Sequence, residues 1–218
     1  SIHSKYNNHR MHRLVELEQP LHKWVKSVLR IFSILLLLNT YIMANNLTAQ
    51  QFANKRQEDQ QIDLKNLLMA TVLEARGEGE KGMFAVARSI HNRKNLIESG
   101  KVPPYTFMPN SINKNPTYTD IITYKGQYAV YDGERKGFKP QKSKITQEDI
   151  NKGVRAVEIA LNDKRSKEYI KDNNLDNRTF NAVNFRRVDA KYDGSQQKDK
   201  FVIGNHEFNL SGSPFAAE

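Results

Sequence analysis

The run Leu73-Glu74-Ala75-Arg76-Gly77-Glu78-Gly79-Glu80-Lys81-Gly82 constrains this chain more than any other stretch. Before it, Leu64, Leu67, Leu68, Thr71, Val72 and Ala75 recur at i, i+3, i+4, i+7, which predicts a helix over 62–75 with one face toward a core. Asp63 opens that helix as a first-turn acid. After it, Met83, Val86, Ala87 and Ile90 repeat the pattern in a second helix over 78–98. Glycines at 77, 79 and 82 let the backbone turn sharply between the two. Two core helices therefore meet at an elbow, and Glu74 projects from the border of the apolar stripe where the first one ends. A carboxylate half inside a core and half facing a cleft is where a general acid can have its pKa raised. The competing reading is a solvated helix-end glutamate beside Arg76.

The remainder of the chain reads more coarsely. Gln50 to Gln61 is polar, a linker or frayed helix. Pro103, Pro104, Pro109 and Pro116, with Asn110, Asn113 and Asn115, predict a long loop. Tyr124 to Asp132 reads as a short strand or an irregular cleft segment. Gln147 opens a helix running to about Asp163 with Ile150, Val154, Val157 and Leu161 as its stripe. Thr146 is its N-cap, and Asp149 completes a capping box. Ser166 to Asn177 is polar, Thr179 to Phe185 apolar and extended, Asp189 to Lys200 a charged loop, and Phe201 to Ile203 a short strand. No internal repeat is present. The plan is α+β and helix-rich.

At the N-terminal side, Lys23, Lys26 and Arg30 precede the apolar run Ile31 to Met43. That run falls short of the roughly 20 residues of a comfortable transmembrane helix and suits the h-region of a secretory signal. Ala44 and Ala49 offer small residues for cleavage, and Met11 is a candidate start of the leader. A retained membrane anchor and a buried core helix are the alternatives. The expected division is a signal peptide or anchor with a basic n-region over 1–49, a linker over 50–61 and a catalytic domain over 62–218.

Charge and cysteine content narrow the chemistry. The chain carries a formal net charge of +10. Residues 1–49 account for +4 of it (Lys5, Arg10, Arg13, Lys23, Lys26 and Arg30 against Glu16 and Glu18), which leaves +6 on the rest. A basic domain fits an anionic polymer such as bacterial wall. The basic residues are scattered and no nucleic-acid motif is present, so nucleic acid is not the expected partner. With no cysteine, disulfides, thiolate metal sites and a cysteine nucleophile are excluded. After the leader only His91 and His206 remain as imidazole donors, without metal-ligand spacing, so neither metal nor cofactor is expected.

Three groups of residues resemble a known family. Glu74-Ala-Arg-Gly-Glu78, then Gly82, Ala85-Val-Ala87 and Asn92-Arg93, is similar to the signature of the SleB-type cell wall hydrolases. These are the spore-cortex-lytic enzymes and their relatives in other bacteria and in phages. Gln127-Tyr128 followed by Asp132-Gly133 stands where that family tends to have Gln-Phe followed by Asp-Gly, and Ile203-Gly-Asn-His206-Glu-Phe208 resembles its closing Ile-Gly-Asn-His-x-Phe. The resemblance runs from about Ile62 to Asn209. Gly79 stands where the family often has proline, and Ala182-Val-Asn-Phe185-Arg-Arg187 is only loosely similar to its small-apolar-Phe-His segment.

The resemblance implies a lysozyme-like domain with a catalytic glutamate at a helix end, acting on peptidoglycan as an exported or membrane-anchored monomer. Glu74 is the expected acid/base. A lytic transglycosylase needs only one such group, because the substrate's own hydroxyl replaces the water that a second carboxylate would activate in ordinary glycoside hydrolysis. Glu78 is expected to orient substrate or Glu74, or else to cap the following helix. Gln127 and Tyr128 are candidates to bind and stack on sugar, with core packing the alternative for Tyr128. Asp132 is a candidate second carboxylate or a turn residue. Phe185 reads as core or cleft wall, and His206 as a polar group at the groove or a backbone partner. The alternatives to glycan cleavage are an N-acetylmuramoyl-L-alanine amidase and a wall-binding or virion structural protein without activity.

Overall fold

In the computed structural model, residues 3–124, 128, 130–132, 137–141, 143–188 and 199–214 are described, with the backbone alone for 3–25, 28 and 187. The chain divides into two compact units, Ser1–Glu58 and Asp59–Glu218.

The first unit is helix throughout its described length. It belongs to α1, His3–Ala75, whose last turns lie in the second unit. No glycine or proline occurs between Pro20 and Gly77, so nothing in the sequence interrupts the hydrogen-bond ladder. The polar stretch 50–61, expected as a linker or frayed helix, is continuous helix. Of the described helices, α1 is long and apolar enough to cross a membrane; its most apolar 18-residue window has mean hydropathy 1.4 and is 0% buried.

The second unit is α+β. It holds the end of α1, then α2 Gly79–Glu98, α3 Tyr118–Thr123, α4 Gln147–Ala160 and α5 Asp163–Asp172. Strands β1 Tyr131–Asp132 and β2 Gly137–Phe138 form a small antiparallel pair. Strands β3 Asn184–Arg187, β4 Phe201–Ile203 and β5 His206–Asn209 form an antiparallel sheet in the order β3-β5-β4. Phe185 lies opposite Phe208, and Phe208 opposite Phe201, across that sheet.

Helix α2 is the centre of the unit. Met83, Phe84, Ala85, Val86, Ala87 and Ile90 are all fully buried, and so is Ser89, so this helix is covered on every side rather than along one stripe. Leu67, Ala70, Val72 and Ala75 of α1 pack into the same core, whereas Leu64 is exposed. In α4 the observed buried face is Gly153, Ala156, Val157 and Ala160. Val154, expected in the stripe, is exposed instead. The small residues bring α4 close to α1: a Cβ on Gly153 would overlap Val72 and crowd Leu68.

The capping box at Thr146 and Asp149 forms as expected. Two other expectations, for Asp63 and for the extended run Thr179 to Phe185, are corrected. Asp63 is an interior residue of α1 rather than its first-turn acid. Its carboxylate caps α3, accepting from the amides of Tyr118 (3.0 Å) and Thr119 (2.7 Å). Helix α5 occupies most of the polar stretch 166–177, capped by Asn162. Residues Asn177–Asn181 turn as a 3₁₀ helix, so the strand starts only at Asn184.

Candidate active site

The elbow forms where the sequence places it. Helix α1 ends at Ala75, a 3₁₀ turn covers Arg76–Glu78, and Gly79 adopts φ 67° to launch α2. Arg76 leaves the elbow toward the loop before α4, donating to Ser143 Oγ at 2.6 Å and to its carbonyl at 3.1 Å. Glu74, half-buried at the end of α1, accepts the backbone amide of Val130 at 3.2 Å. It is therefore held against the segment just after Tyr128 rather than free in solvent beside Arg76.

Tyr128 is buried beneath this contact. Burial pushes its phenol pKa up, the Arg93 guanidinium opposes that shift, and the nearby Glu74 carboxylate adds to it. The phenol thus stays protonated beside the acid. Arg93 stands 5.6 Å over the Tyr128 ring and 5.5 Å over that of Phe107, within cation–π range. It also donates to Asn184 Oδ1 at 2.8 Å. Its neighbour Asn92 donates to the carbonyls of Phe180 and Ala182, both at 2.8 Å. The Asn92-Arg93 pair, to which the sequence assigned no role, pins the approach to β3 onto α2.

Glu78 does something the sequence did not suggest. It makes no side-chain cap to α2. Its Oε2 accepts the Asn205 amide at 2.6 Å, and its Oε1 lies 3.9 Å from His206 Nδ1. Two glycines make room. A Cβ on Gly82 would overlap the Glu78 stem, and one on Gly204, whose φ is 58°, would overlap its carboxylate. Glu78 thereby holds the turn between β4 and β5 onto the elbow.

Phe185 on β3 gathers Tyr128 of the second motif segment and His206 and Phe208 of the third around its ring. The Phe185 ring lies 5.8 Å from Tyr128, 5.6 Å from His206 in an edge-on arrangement, and 5.8 Å from Phe208. Phe185 is half-buried and packs against the core, and His206 is buried. Asp132 sits half-buried on β1, paired with Gly137. Gln127 lies outside the described residues, as does Gly133. Among the described residues no group of three His, Asp or Glu side chains could hold a metal ion.

Three concavities among the described residues are not lined by Glu74. One of about 610 Å³ is lined by Met108 to Ser111, Asn113, Asp120, Thr123 and Tyr124; smaller ones of about 210 and 260 Å³ lie beside Asn92 and Ile170. Glu74 is instead placed by its helix end and the Val130 amide. Sequence reasoning had no signal for that amide, because a main-chain donor carries no residue identity. No protein-family model, curated protein or solved structure matches this chain.

Proposed function

We propose that the second unit cleaves the glycan strands of peptidoglycan as a lytic transglycosylase, with Glu74 as its one acid/base. A single observation carries the reading. Glu74 and Glu78, at one elbow, grip the amides of Val130 and Asn205, 56 and 127 positions from them in sequence. The motif segments that resemble a wall hydrolase thus converge on the two glutamates of the first motif. This reading implies a lysozyme-like arrangement with a groove running past Glu74, and export to the cell envelope, where the polymer lies.

In the proposed reaction the Glu74 carboxylic acid gives its proton to the bridging oxygen. The C1–O bond of the muramic residue breaks, and its electron pair leaves with that oxygen. The Glu74 carboxylate then takes the proton of the same residue's C6 hydroxyl, whose oxygen closes on C1 to give the 1,6-anhydro sugar. Glu74 ends protonated, ready for another cycle.

The test is Glu74→Gln in the full chain. The amide fills the same space but can neither give nor retrieve a proton. Wall clearing should fall by about 10²–10⁴-fold with the far-UV circular dichroism unchanged. Fragments from the unaltered protein should end in 1,6-anhydromuramic acid by mass spectrometry. Reducing muramic ends would assign hydrolysis instead, and free stem peptides the amidase. A folded Glu74→Gln protein with near-normal turnover would remove Glu74 from its role.

A further inference from the structure

We infer that α1 is a retained membrane anchor, inserted with its N-terminal side in the cytoplasm, rather than a leader that is cut away. The inference stands on the first unit alone and does not depend on the activity proposed for the second.

Length comes first. No charged residue lies between Arg30 and Lys55. As continuous helix this stretch is about 36 Å long at 1.5 Å per residue, and a bilayer core is about 30 Å thick. The 13-residue apolar run alone looked too short. The helix carries the span on through Ala44, Leu47, Ala49 and Phe52.

The apolar surface is exposed all round. Ile31, Phe32, Leu35, Leu36, Leu37 and Leu38 are each more than half exposed, although neighbouring positions on a helix point in different directions. An amphipathic helix resting on a protein surface would hide one side. From Ile31 to Leu38 apolarity on every side asks for a solvent that is apolar on every side, while Asn39, Asn45, Asn46, Gln50 and Gln51 bring polar groups into the rest of the stretch.

The hydroxyls inside the segment are already satisfied. Ser33 donates to the Leu29 carbonyl, Thr40 to that of Leu37 and Thr48 to that of Ala44, each at 2.9 Å. Bonds of this kind weaken a helix slightly in water. In hydrocarbon, where an unpaired polar group is expensive, they let such residues enter.

The continuity of the helix favours retention. A protease acts on extended chain, and nicking concentrates in exposed loops rather than in regular elements. Both small-residue sites, Ala44 and Ala49, lie well inside α1 with helical backbone on either side. Orientation follows from charge. Lys23, Lys26 and Arg30 crowd the N-terminal side of the span, whereas Lys55 and Arg56 stand alone close to the other. The richer basic flank stays in the cytoplasm.

The experiment expresses the full chain with a C-terminal tag in a bacterium and fractionates the cells. We expect the intact mass in the membrane fraction, resistant to alkaline carbonate and released by detergent. Protease added to spheroplasts should remove the tag. Replacing Leu36 and Leu37 together by arginine should move the protein out of the membrane fraction. A soluble product beginning near Asn45 or Gln50 would overturn retention. A detergent-independent soluble oligomer of the full chain would assign the apolar surface to a second copy and overturn the bilayer. A tag protected in spheroplasts but cut after lysis would overturn the orientation.

Discussion

Glu78, Gly82 and Gly204 behave as one unit at the residue scale. Glu78→Ala removes a half-buried acceptor of the Asn205 amide and leaves a void, and is expected to cost about 2–3 kcal/mol. That corresponds to a fall in Tm of about 5–10 °C for a unit of this size. Gly204→Ala is expected to be similarly costly, because its Cβ would overlap the Glu78 carboxylate at a φ that favours glycine. Combining the two relieves the overlap, so the double variant should lose clearly less than the sum; an additive result would break the unit apart.

His91 gives a pH dependence. Its Nε2 faces the Asn95 amide at 2.9 Å and its Nδ1 the Tyr118 hydroxyl at 2.8 Å. With the Asn95 amide donating, Nε2 is an acceptor, which only the neutral ring allows. Burial lowers its pKa to about 4, with Arg88 and Lys94 adding to the effect and Asp163 opposing it. The unfolded chain therefore binds a proton at higher pH than the folded one. Stability from this group is complete above about pH 6.5 and is lost as pH falls toward 4, on the order of 3 kcal/mol. His91→Gln should flatten the Tm-against-pH curve in that window.

Among the elements, α4 tests which of two opposed effects wins. Gly153→Ala gains about 1 kcal/mol of helix propensity. It also forces a methyl into Val72 and Leu68 at the closest approach of α4 to α1, and overpacking costs about 1–3 kcal/mol. Urea denaturation should show net destabilisation.

The same contact explains what the sequence could and could not reveal. Helices α1 and α2 were legible because large apolar residues mark their buried faces. In α4 the expected stripe caught Val157 but placed Val154 in it wrongly and passed over Gly153, Ala156 and Ala160, small residues that carry little hydrophobic signal. Asp63 was legible as a helix-start acid but caps a different helix, because nothing in sequence announces a partner 55 positions away. Helix α5 was hidden by its polar composition: only Ser166 and Ile170 are buried in it. At the site, the elbow and Glu74 were readable from spacing. The Val130 and Asn205 amides were not, since main-chain donors have no letter.

On the scale of the whole molecule, the division near Glu58 predicts that Gln50–Glu218 expressed alone folds with an unchanged melting temperature. Insolubility of that fragment beside a well-folded full chain would mean that the apolar segment belongs to the core. Chelation is expected to leave wall-clearing activity unchanged, because the described His, Asp and Glu side chains form no ligand group and cysteine is absent; inactivation by EDTA with rescue by zinc would contradict this.

The place of β5 has a further consequence, for the order of events during synthesis. It is the middle strand of its sheet, yet the last of the described elements to leave the ribosome. Until it emerges, β3 and β4 have no partner, and Glu78 has no amide to accept. Early elements of a nascent chain usually begin to fold first; here the Glu74 and Arg76 contacts of the elbow can form early, whereas the Glu78 contact must wait for Asn205. A chain arrested before His206 should remain open to protease along β3, and one arrested well beyond Leu210 should not. Such late closure would keep the polypeptide threadable for as long as a translocation channel has to handle it.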